Sequence, residues 1–95
     1  MEYRIIFVFD GLQVEAQLWV QEYDGAWTLV DTADDVAQGA DALAALAGDL
    51  ALELCRAHVH HEHNLTTLVQ LPNGLLDDYA LPARWGCRAP GPLKK

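Results

Sequence analysis

No serine occurs in this 95-residue chain, and 6 lysines and arginines stand against 14 aspartates and glutamates. The first absence removes serine-nucleophile chemistry. The second leaves a net charge of −8, and its distribution is uneven. Arg84, Arg88, Lys94 and Lys95 lie together at the end, so residues 1–83 hold Arg4 and Arg56 against all 14 carboxylates. A body of that charge repels phosphate, which argues against direct nucleic-acid binding. It attracts a basic protein partner and speeds the encounter.

Other absences narrow the class further. Cys55 and Cys87 are far apart and form no CxxC pair, so both read as reduced thiols, one on a helix and one in a tail. The most apolar region is interrupted by Asp41, Gly48, Asp49 and Glu53, and no uninterrupted apolar run reaches the roughly 20 residues a bilayer span needs. The start, MEYRIIFVFDG, lacks the basic opening and small-residue cleavage site of a signal peptide, so a cytoplasmic protein is expected. Glycine-rich phosphate loops are absent, and no cofactor is expected.

What is present suits one small folded domain. Hydrophobic residues make up 52% of the chain and charged residues 21%, enough apolar surface to offset chain entropy around one core. Residues 1–83 read as that domain, and residues 84–95 as a basic tail rich in proline and glycine.

Two Asp-Gly dipeptides, Asp10-Gly11 and Asp24-Gly25, separate strand-like runs and predict two hairpins. With Asp10-Gly11 as the loop, Phe9 faces Leu12, Phe7 faces Val14, Ile5 faces Ala16 and Tyr3 faces Leu18, an apolar side throughout. The second turn extends that side by setting Val20 opposite Leu29. The other side is mixed, and brings Ile6, Trp19 and Val30 together as a covered or partner-binding patch.

A helix is predicted next. Asp31 or Thr32 would cap it, and Asp34 and Asp35 would sit in its first turn, where the dipole favours negative charge. Its apolar stripe would be Val36, Ala40, Leu43, Ala47, Leu50, Leu54 and Ala57; Gly39 could instead part a short first turn from the main helix. Leu65–Leu71 reads as a fourth strand stopped by Pro72-Asn73-Gly74, and LLDDYALP as a brief strand or a turn over an edge. The expected fold is α+β: an antiparallel sheet of about four strands in the order β-β-β-α-β, with one helix on one face. That outline resembles antitoxin domains of the HicB kind and several RNA-binding folds, and outline alone carries no function.

The stretch HVHHEHN holds all four histidines. Whether helical or extended, it makes two separate pairs rather than one convergent set, and its expected role is to end the helix against the dipole. A metal site formed by His58, His60, His61 and His63 is the alternative. Asp34-Asp35 and Asp77-Asp78 lack the spacing of a calcium loop. No enzyme is expected.

The functional expectation is an acidic protein-binding module. In size and charge the chain is similar to small phage-encoded inhibitors of bacterial defence, anti-CRISPR proteins among them. That similarity implies an inhibitor blocking the basic, nucleic-acid-binding surface of a larger complex; an antitoxin-like or adaptor domain is the other form. The expected contacts are Asp34, Asp35, Asp41, Asp49 and Glu53 along the helix, with Trp19 and Tyr23 on the outer sheet side. A homodimer through that side is compatible with each reading.

Overall fold

The computed structural model describes residues 2–59 and 64–81. Its elements run β1 (Glu2–Asp10), β2 (Gln13–Gln21), β3 (Trp27–Val36), a short 3-10 turn (Ala40–Ala42), α1 (Leu43–His58), β4 (Asn64–Gln70) and β5 (Leu76–Asp78). The class is α+β as expected, but the sheet has five strands in the order β3-β2-β1-β4-β5. It is also mixed: β4 runs parallel to β1, where an all-antiparallel sheet was expected. The reason is the connection. β3 is antiparallel to β2, and β2 to β1. The helix then carries the chain back along its own length, so β4 enters beside β1 in β1's direction.

The first hairpin keeps its predicted faces and shifts its predicted register. Asp10 pairs with Gln13, Phe9 with Val14, Phe7 with Ala16, Ile5 with Leu18 and Tyr3 with Val20. The loop is therefore Gly11-Leu12, with Gly11 at φ 61° in the conformation glycine tolerates best. A slip of two residues leaves every side chain on its predicted side, because strand side chains alternate with a period of two.

Around the second hairpin the parity does change. Glu22 N donates to Ala26 O at 2.7 Å and Gly25 N to Glu22 O at 3.0 Å, closing a three-residue loop with Gly25 at φ 88°. Leu29 consequently faces Trp19, and Thr28 faces Val20, correcting the expected Val20–Leu29 pair. Between Leu18 and Trp19 the register shifts, leaving Val30 as the extra residue of a bulge. Beyond it Leu18 faces Asp31 and Ala16 faces Ala33, so the bulge reverses the displacement made by the loop. Pro72–Gly74 makes the same loop between β4 and β5: Leu71 N and Gly74 N reproduce the two bonds, and Gly74 has φ 87°.

The helix begins later than predicted. Asp31, Thr32, Asp34 and Asp35 belong to β3, and Val36 is exposed at that strand's end. Pairing all along β2 outweighs the preference of aspartate for a helix start. Gly39 does not part a first turn from the main helix: it stands before the 3-10 turn, and Ala40–Ala42 runs directly into α1, whose first residue follows Ala42 with no side-chain cap. From Leu43 to His58 there is no β-branched residue, and Leu and Ala dominate. Arg56 and His58 occupy the last turn, favourable beside the negative helix end, and Val59 leaves in extended conformation.

α1 lies over β2 and β3 and presents Ala47, Leu50, Ala51, Leu54 and Cys55 to Ile5, Phe7, Val14, Ala16 and Leu18. Ala40 and Ala57, placed on the predicted stripe, are exposed. Phe7, Ile5, Leu18, Leu54 and Val14 are fully buried, each worth about 1.5–3 kcal/mol of transfer free energy. Tyr79, just after β5, closes the flank the helix leaves open. Its ring lies 5.2 Å from Phe7 and 5.5 Å from Phe9, while its backbone accepts from Thr67 Oγ1. No helix among the described residues is long and apolar enough to cross a membrane.

Replacing Phe7 by alanine is expected to cost about 3–5 kcal/mol of unfolding free energy. Leu75→Ala, at a residue 63% exposed, should change it by no more than about 0.5 kcal/mol. Equilibrium denaturation of the two variants checks both values.

Candidate functional site

Among the described residues no second layer lies on the sheet face opposite α1. Register assigns that face. It carries Arg4, Ile6, Val8 and Asp10 from β1, Gln13, Glu15, Gln17, Trp19 and Gln21 from β2, and Trp27, Leu29, Thr32 and Asp34 from β3.

The face has two zones. Toward one end, Arg4 and Leu29 flank Trp19 in the neighbouring strands, and the Arg4 guanidinium carbon sits 4.0 Å above the centre of the Trp27 ring. That stacking holds the charge by attraction to the ring's electron-rich face. Arg4 Nε is buried there with no hydrogen-bond partner among the described residues. Ile6 is buried even on this open side, screened by longer neighbours, whereas Leu29 is 46% exposed.

Toward the other end the surface is acidic. Glu15 pairs directly with Asp34 across the strands, and Asp10 pairs with Gln13. Two carboxylates face to face repel, so amide groups spread the charge. Gln17 Nε2 donates to Glu15 at 3.3 Å, and Gln13 Nε2 reaches Asp34 at 3.5 Å. Trp19 Nε1 donates to Gln17 Oε1 at 3.1 Å, completing a ladder along β2 from indole to carboxylate. The ladder fixes the Trp19 indole and joins the aromatic zone to the acidic one.

The predicted contact residues do not form one helical row. Asp34 and Asp35 lie on β3, Asp34 on the outer face and Asp35 on the helix side. Asp41 lies in the 3-10 turn, and Asp49 and Glu53 alone are on α1. All five are exposed. Trp19 is half-buried on the outer face, while Tyr23 stands fully exposed in the loop between β2 and β3. Arg4, Glu15, Gln17 and Trp27 complete the surface and were not singled out from sequence. The signal for Trp27 was the loop length, since two loop residues would have turned it inward and three turn it outward.

Of the histidines, His58 ends α1 as expected; His60, His61 and His63 lie outside the described residues. His58 Nε2 stands 2.8 Å from Asp31 Oδ2, tying the helix end to β3. The other Asp31 oxygen accepts from Thr32 N at 2.8 Å. The hydrogen bond to His58, and then that to Thr32, hold the Asp31 carboxyl below the ordinary aspartate range. Among the described residues no group of three or more histidines, cysteines or carboxylates is placed to hold a metal ion.

A carboxyl whose pKa is lowered on folding stabilises the fold in full above its unfolded pKa. That contribution is lost as the pH falls through the folded value. Asp31→Asn should therefore flatten the decline in stability on acidification, and His58→Ala should flatten it in part. Denaturation curves over a pH series check this. Compared with known proteins, the chain matches no family model, no curated protein and no solved structure.

Proposed function

We propose that this chain is a non-enzymatic protein-binding module that engages a basic partner through the outer face of its sheet. The observation that carries the reading is the pairing of two zones on a layer that no other described residue covers: Trp19, Trp27 and Leu29 beside Glu15 and Asp34. Aromatic side chains on a rigid sheet supply contact area at low entropic cost. The neighbouring carboxylates steer a positive surface toward them and set its orientation. Leu29 is exposed and the two tryptophans are half-buried, and an apolar patch bounded by charge is a mark of a protein interface.

Such a surface suits an inhibitor that occupies the basic, nucleic-acid-binding site of a larger complex, with the acidic body standing in for phosphate. Asp49 and Glu53 on α1, and Asp41 before it, contribute to the long-range field. Their part is in the rate of encounter, and the outer face makes the contact.

The reading is tested by capture from host lysate at low and high salt, comparing the wild type with Trp19→Ala and Glu15→Lys/Asp34→Lys. The expected result is a basic nucleic-acid-binding protein retained by the wild type, released by salt and lost from both variants. Its nucleic-acid binding should be blocked by the wild-type chain. For the lysine pair, association should slow by about 10-fold or more at low salt, with a weaker salt dependence. Equal capture by all three proteins, or none by the wild type, sinks the proposal.

A further inference from the structure

The two outer strands share a local device that the inner strands lack. Among the described residues β3 and β5 each have one side open, and the backbone bonds show which amides face it. Ala37 N donates to Leu12 O at 2.8 Å, toward β2. By alternation, the amides of Thr32, Asp34 and Val36 point away from the sheet. On β5, Tyr79 N donates to Thr67 O at 3.1 Å, toward β4, so the amide of Asp78 points outward.

Three of these four are already occupied, whereas Trp27 and Leu29 before the bulge and Leu76 on β5, which the same alternation turns outward, follow no carboxylate. Asp31 Oδ1 accepts from Thr32 N, Asp35 Oδ1 from Val36 N and Asp77 Oδ1 from Asp78 N, each at 2.8 Å. In every case a carboxylate bonds the amide of the residue that follows it. Among the described residues the pattern occurs on no other strand.

We infer that Asp31, Asp35 and Asp77 close the edges of the sheet against strand addition, and so keep a second copy of this chain from extending it. An incoming strand needs the outward amides as donors. Here it meets donors held in charge-assisted bonds, with a carboxylate beside each one facing the newcomer's own carbonyls. The rest of each edge is short or bent. β5 has three residues, and the bulge at Val30 interrupts β3 near its exposed apolar stretch. An acidic surface alone would also disfavour association, but it does not require carboxylates one residue before the outward amides.

Alanine and asparagine separate these two causes, because both remove the charge and only asparagine keeps the acceptor. The experiment compares Asp35→Ala/Asp77→Ala with Asp35→Asn/Asp77→Asn, leaving the Asp31–His58 pair untouched. Sedimentation velocity over a concentration series is read against the wild type, with circular dichroism to confirm the fold. Amide exchange at Val36 and Asp78 reports the bonds directly. The alanine pair is expected to gain a concentration-dependent, heavier species and faster exchange at both amides, while the asparagine pair sediments as the wild type does. Wild-type sedimentation of the alanine pair, or equal association of the asparagine pair, overturns the inference. Should the alanine pair fail to fold, the single variants at Asp35 and at Asp77 are read by the same comparison.

Discussion

Everything in this fold is arranged around the burial of β1. It is the central strand, antiparallel to β2 on one side and parallel to β4 on the other. Ile5 and Phe7 are wholly buried on the helix side, and Ile6 is buried on the opposite side. A strand that is apolar on both faces must be paired along both edges and screened above and below. That requirement draws in β4 beside β1, sets α1 across β2 and β3, and brings Tyr79 back over Phe7 and Phe9. The short β5 follows, since it places Tyr79 at the flank α1 does not reach.

The outer face solves the same problem with less material. No further layer among the described residues covers it, so the side chains of the sheet shield one another. Arg4 extends over Trp27, and the Trp19–Gln17–Glu15 ladder runs along β2. The consequence is a rigid surface holding tryptophan and carboxylate side by side. Binding to such a surface requires little ordering of side chains that already bond one another.

The loop-and-bulge pair on β3 decides which residues reach that surface. The three-residue loop turns Trp27 and Leu29 outward, and the bulge at Val30 returns Asp31, Ala33 and Asp35 to the helix side. Asp31 can then meet His58 at the end of α1. Without the bulge, the odd-numbered positions of β3 would continue outward, and the helix end would lose that carboxylate. One inserted residue thus links the tryptophan face to the helix anchor.

Much of this was legible in the chain itself. The alternation of Tyr3, Ile5, Phe7 and Phe9 named the buried side of β1, and a period of two preserved that side through a register error of two. The stripe Leu43, Ala47, Leu50 and Leu54 named the body of the main helix, while its predicted start near Asp31 fell in β3. The rest depended on partners distant in sequence. Asp34 and Asp35 carry the local signature of a helix start, and the whole length of β2 overrides it. The direction of β4 depends on where the helix delivers the chain, which no local pattern records. A local run of residues sets periodicity and turn chemistry because both are short-range. Parity around a loop, strand order and the meeting of Glu15 with Asp34 were decided by the tertiary structure, because each depends on how many residues separate two segments that pair across the sheet.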